Sequence, residues 1–133
     1  METTGLTYTV ILPTSASDVY GILLDERKHS SFTGDVAIIT DVPGSSFSLY
    51  DGKYTGKVVQ TIKNELIVLD FVLHHPLWHN PSCSEVSFQL KMLAPNETEL
   101  TVIHKLVPVS CADIMLNNWH QDFWEPLMFY LNR

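Results

Sequence analysis

A chain of 133 residues with 45% apolar and 17% charged side chains is neither disordered nor fibrous, and its length fits one domain with a real core. The net charge of −7 comes from 15 acidic and 8 basic residues, the basic ones scattered singly or in pairs, which argues against phosphate-driven nucleic-acid binding. No apolar run approaches the roughly 18–20 residues that cross a bilayer, and the first residues lack a basic start and an apolar signal core, so a soluble, cytoplasmic protein without membrane insertion is expected, with Cys83 and Cys111 as reduced thiols.

In chain order, LTYTVIL (6–12) alternates Leu6, Tyr8, Val10 and Leu12 on one side, the pattern of a half-buried strand, and Pro13 ends it. Ser15 and Asp18 have capping-box spacing, and Val19, Tyr20, Leu23 and Leu24 follow at helical intervals. The polar stretch from Asp25 to Ser31 reads as a second short helix anchored by Phe32. Strands are then expected at 36–40, at 46–50, after a two-residue Asp51-Gly52 hairpin turn at 53–62, and at 66–75, 84–93 and 99–107. In the strand at 84–93, Val86, Phe88, Leu90 and Met92 face inward.

After Pro108, Ser110 and Asp113 repeat the capping-box spacing. A final helix from about Ala112 lines up Leu116, Trp119, Phe123, Leu127 and Tyr130 or Leu131 on one stripe. Pro126 removes a backbone donor and crowds the carbonyl of Asp122, which predicts a kink. Hairpin-connected strands make an antiparallel sheet, and one apolar sheet face with one apolar helix stripe gives a two-layer α+β domain. The space between the layers is either a solid core or a pocket.

The segment HHPLWHNPSC (74–83) holds three histidines and a cysteine. His75, His79 and Cys83 would share a helix face. However, Pro76 and Pro81 bias the residues before them away from helix, and His74 and His75 ending a strand would point to opposite faces. A proline-stiffened loop with Trp78 folded over the sheet edge is the favoured reading, and no metal is expected. His104 falls in phase with Leu100, Val102 and Leu106. It is either a hydrogen-bonded core residue or a polar group on a pocket wall. His29 and His120 read as surface residues. Cys111, near a helix start, reads as a small buried apolar group. No nucleophile elbow, phosphate loop, metal set or acid–base carboxylate pair is visible, so no cofactor and no enzymatic activity are expected.

The stretch from Phe32 to Phe71 resembles the domain family named for activators of the heat-shock protein 90 ATPase, through Phe32, Gly44, Phe47, Leu49, Asp51, Gly52 and Gly56. The end of the 99–107 strand, from His104 to Pro108, and the stripe of Trp119, Phe123 and Leu127 extend the likeness over nearly the whole chain. Asn118 stands where the family often has glycine, and Asp70-Phe71 where it commonly has tryptophan. The resemblance implies the helix-grip fold of birch-pollen-allergen-like and START domains: two short helices after strand 1, then a curved antiparallel sheet of about 6–7 strands around a long C-terminal helix. It also implies that the chain corresponds to the C-terminal module of the full activators. The function implied is a co-chaperone-like module that contacts a heat-shock protein 90 chaperone, with Trp78, Arg27 and Lys28 as contact candidates. The alternative is a carrier of a small hydrophobic ligand held between sheet and helix, with Phe71, Phe88, Trp119 and Phe123 as its wall and Tyr54 and His104 as its polar handles.

Overall fold

The computed structural model describes residues 2–78 and 83–133. Among them, six strands form an antiparallel sheet in the order β1-β6-β5-β4-β3-β2. They are β1 (Thr3–Leu12), β2 (Ser46–Leu49), β3 (Tyr54–Ile62), β4 (Leu66–Leu73), β5 (Ser84–Ala94) and β6 (Glu97–Pro108). Two short helices follow β1: α1 (Ala16–Leu24) and α2 (Glu26–Thr33). A 3-10 turn at Val109–Cys111 then opens a C-terminal helix in three parts: α3 (Ala112–Asn118), a π-helical segment (Trp119–Trp124) and α4 (Glu125–Leu131). This is the helix-grip arrangement, with the C-terminal helix laid on the apolar face of the sheet.

The helix starts are only partly as the spacing suggests. Ser15 Oγ accepts from the Asp18 backbone N–H at 3.1 Å, but Asp18 does not reach back; its carboxylate accepts from the Thr14 hydroxyl instead. The N-cap of α2 is Asp25, whose carboxylate accepts from the N–H groups of Arg27 and Lys28. Near Ser110 there is no capping box, because its hydroxyl donates across to the Leu77 carbonyl at 2.8 Å.

Four other expectations are corrected. The strand at 36–40 is reduced to a single bridge, Ile38 to Ser48, because β2 is only four residues long and offers no longer ladder. The turn at Asp51-Gly52 is wider than two residues: Leu49 pairs with Tyr54, and Tyr50, Asp51 and Gly52 all take positive φ. Leu106 faces solvent, because β6 bulges opposite Gly5; Leu106 takes φ 61° there, and the extra residue turns Val107 inward instead. Met92 is also exposed, near the register shift where β5 meets β6.

The helix stripe is shifted as well. Leu116 is exposed and Met115 takes its place, so the buried ladder runs Cys111, Met115, Trp119, Phe123, Leu127. Steps of four residues drift by about 40° per step around an α-helix. The wider π turn between Trp119 and Trp124 offsets that drift and holds the ladder on one face. Pro126 explains where the π turn sits: the next N–H back, that of Glu125, reaches the His120 carbonyl five residues away.

Candidate functional site

The six side chains named as cavity candidates do come together, as a packed aromatic cluster between sheet and helix. Trp119 stacks on Phe71, with centroids 6.1 Å apart at 19°, and meets Phe88 edge-on at 6.0 Å. Phe123 lies 4.6 Å from Trp119 and 5.5 Å from Tyr54, and Tyr54 stacks on Phe71 at 5.1 Å. The internal gap that Phe71, Phe88 and Phe123 share with Leu23, Ile39 and Leu69 measures about 10 Å³, room for roughly one water molecule.

His104 is buried and fully bonded within this cluster. The Trp119 indole N–H can only donate, so His104 Nδ1 accepts it, at 3.1 Å. Nε2 therefore carries the proton and donates to Ser84 Oγ at 2.7 Å, and the Ser84 hydroxyl donates onward to the Phe71 carbonyl at 2.6 Å. The relay ties the C-terminal helix to β6, β5 and β4 without leaving a polar atom exposed. Burial holds the His104 imidazole neutral, with its pKa lowered to about 3. These contacts fit the hydrogen-bonded core reading of His104.

A second polar assembly was not visible in the sequence. Asp122, on the π turn, is buried; its Oδ2 accepts from the Tyr54 hydroxyl and from Lys53 Nζ at 2.6 Å. Its backbone carbonyl, the one crowded by Pro126, accepts from the Tyr50 hydroxyl. The β2–β3 hairpin thus latches onto the helix at the point where the helical ladder is broken, and Tyr50 reaches it from a left-handed conformation that costs about 1 kcal/mol. Desolvation first, then the neighbouring Asp122 charge, raises the pKa of Tyr50; for Tyr54, desolvation and the hydrogen bond to Asp122 do the same. Both phenols stay protonated donors. The signal for Asp122 was its place beside Phe123 on the buried stripe, where a carboxylate must have partners.

The latch predicts an order of effects. Asp122→Ala strands the buried Tyr54 hydroxyl and is expected to lower stability by about 2–3 kcal/mol. Lys53→Met removes the partly exposed member of the ion pair while the Tyr54 hydroxyl still donates to the buried carboxylate, and is expected to cost less, about 1 kcal/mol. Urea unfolding followed by tryptophan fluorescence measures both.

The histidine-rich loop is only partly described. His74 Nε2 bonds the Thr55 hydroxyl at 2.6 Å, and His75 Nδ1 accepts the Leu77 N–H at 3.0 Å, which occupies the lone pair a metal would take. His79 lies outside the described residues. Among the described residues no three histidine, cysteine or acidic side chains converge as a metal site would require.

Arg27 and Lys28 are exposed at the start of α2, while Trp78, expected on an exposed loop, is buried. His29, expected at the surface, is buried too: its ring packs 4.6 Å from Phe32 and Nδ1 donates to the Leu23 carbonyl. Its Nε2 has no partner among the described residues, and the ring lines the 10 Å³ gap. His120 is exposed as expected and bonds the Tyr8 hydroxyl. Cys111 is fully buried, and desolvation raises its pKa.

Residues 13–131 match the family described as activator of Hsp90 ATPase homolog 1-like protein. The activator of 90 kDa heat shock protein ATPase homolog 2 of Mus musculus is 24% identical over 127 residues, covering 96% of this chain. The chain spans 38% of that relative's length. Among solved structures, an HSP90 activator from Plasmodium falciparum superposes with a TM-score of 0.88 at 20% identity, over 96% of each chain. The Aha1 dimer from Colwellia psychrerythraea gives 0.73 at 18%, over 96% of this chain and 92% of that one. CalU16 from Micromonospora echinospora gives 0.80 at 14%, over 97% and 76%. At these identities the structural likeness shows the fold.

Proposed function

The chain belongs to the activator of Hsp90 ATPase homolog 1-like family, and from that premise we propose that it is a co-chaperone-like protein-interaction module. It binds a heat-shock protein 90 chaperone in the cytoplasm and raises its ATP turnover. The observation that carries this reading beyond kinship is the filled interior: with a gap of about 10 Å³ between sheet and helix, recognition falls to the outer surface. Such a module acts by preferring one conformation of the ATPase, and it shifts that population only by its difference in affinity. Arg27 and Lys28 are exposed and positively charged, and are the proposed contacts; Trp78 is buried and is left out of the proposed contact set. Calorimetric titration into the chaperone, with ATP turnover read in parallel, tests the proposal. Saturable binding, faster turnover and a loss of affinity on the order of ten-fold in Arg27→Glu/Lys28→Glu are expected. No heat of binding and unchanged turnover would remove it.

A second reading, a carrier of a small hydrophobic ligand, draws on the unpartnered Nε2 of His29 beside the internal gap. It requires helix and sheet to part. A thermal shift with apolar molecules bearing one hydroxyl, abolished in His29→Phe, would favour it.

A further inference from the structure

The sheet has two edges, and the fold covers only one of them. Beside β2, Ile38 and Ser48 exchange both backbone hydrogen bonds, at 2.8 and 2.9 Å, and the Asp51 N–H reaches the Val36 carbonyl. The other edge is β1, ten residues long and paired with β6 on one side only. In an antiparallel strand, alternate residues turn their N–H and C=O away from the neighbour they pair with. Among the described residues, no backbone group outside β6 bonds to the backbone of Thr3–Leu12. Such an edge is a template for a further strand, and proteins ordinarily guard it with charge, proline, a bulge in the edge strand or short length. TTGLTYTVIL has none of these guards. The bulge at this end is carried by β6, opposite Gly5. The four strands between the edges all carry charge: Lys57 in β3, Asp70 in β4, Glu85 and Lys91 in β5, Glu99 and Lys105 in β6.

The apolar layer also runs out at β1. On the inward face Leu6, Tyr8 and Val10 stand beside His104, Val102 and Leu100 of β6. Those three β6 residues are fully buried, whereas Leu6, Tyr8 and Val10 are only half-buried.

We propose that β1 pairs with β1 of a second copy of this chain, antiparallel about a two-fold axis, so that two six-stranded sheets become one. The strand is complementary to itself in two ways. A two-fold axis sets it against its own reversed sequence, where any charge near the axis would face its like, and β1 has none. Directly opposed residues also share a face of the sheet, so inward residues must meet inward residues. Thr7 facing Thr7 satisfies this: it sets Leu6 of each copy against Tyr8 of the other and continues the apolar layer across the seam. Each copy carries a net charge of −7, so the bodies repel at long range while the strands do not. Salt screens the repulsion and leaves the strand pairing intact, so added salt tightens the dimer. The inference does not depend on the co-chaperone reading.

Sedimentation equilibrium of the full chain, with amide hydrogen exchange read at the same concentrations, tests it. A strand pair alone covers less than the roughly 1,200–2,000 Å² of a standard interface, so a dissociation constant on the order of 10–100 μM is expected. It should fall several-fold between about 0.05 and 0.5 M salt. Alternate amides of β1 should gain protection as the protein concentration rises. Thr7 is exposed, and Thr7→Lys and Thr7→Glu should each be monomeric where the parent is dimeric. An equimolar mixture of the two should restore the dimer, because lysine then faces glutamate. A parent that stays monomeric up to about 1 mM would overturn the proposal and leave the edge to a strand of another protein. So would a dimer that neither substitution weakens, a mixture that stays monomeric, or dimerisation without added protection in β1.

Discussion

Gly56→Ala is expected to cost more than about 4 kcal/mol, a large share of the roughly 5–15 kcal/mol that holds a typical domain folded. A Cβ at this position would lie 1.8 Å from the Asp70 carbonyl oxygen, 2.7 Å from its carbon and 2.9 Å from Phe47 Cε2. The first two are backbone atoms of the neighbouring strand, so no rotamer change relieves the clash; β3 and β4 must separate. Gly56 pairs with Phe47 on one side and Phe71 on the other, and those two rings meet at 6.2 Å in front of it. The glycine is thus where the sheet packs its backbone tightest beneath its aromatic cluster. Gly34→Ala is the control. Gly34 takes φ 74°, and nothing lies within 4 Å of the point its added Cβ would occupy, so the replacement should cost only about 1 kcal/mol. Urea denaturation of the two variants checks the contrast. A Gly56→Ala chain that unfolds near the parent's midpoint would mean that β3 and β4 do not approach as described.

Acid should destabilise the fold through its two buried imidazoles. His29 and His104 are held neutral by desolvation, with pKa values lowered to about 4 and about 3. In the unfolded chain both titrate near 6.5. Below that value the unfolded state binds protons that the folded state refuses, so unfolding becomes more favourable as the pH falls. The stabilisation is complete above about pH 6.5 and declines by about 1.4 kcal/mol per pH unit for each histidine, levelling off near the folded pKa values. Around pH 4.5 the two together should remove about 5 kcal/mol. Urea midpoints at about pH 7.5, 6, 5 and 4.5 measure this. His29→Phe, which lacks the group whose Nε2 goes unpartnered, should flatten about half of the slope; a slope unchanged in that variant would contradict the neutral, buried assignment.

Much of this was legible because it depends on neighbours in sequence. Alternation fixed the inward faces of β1, β4 and most of β5. Phe32 marked α2, and Pro126 pointed to the Asp122 carbonyl as the weak point of the last helix. His104 was placed on an apolar face by its phase with Leu100 and Val102. What escaped depends on contacts across long stretches of chain. Lys53 and Asp122 are 69 positions apart, and the serine that completes the His104 relay is 20 residues away on another strand. His29 reads as polar on a polar helix, and only the docking of α2 buries it. Leu116 and Met115 exchange roles because a π turn, invisible to a 3.6-residue period, rotates the ladder. Leu106 is turned outward by a bulge that a leucine in a left-handed conformation does not advertise.

Among the described residues, sheet and helix close on each other around a gap of about 10 Å³, and the proposal that recognition lies at the outer surface depends on that closure. Native mass spectrometry of the protein after gentle, detergent-free purification tests it most directly. The mass of the bare chain is the predicted result; a stoichiometric adduct that survives desalting and disappears on unfolding would contradict it.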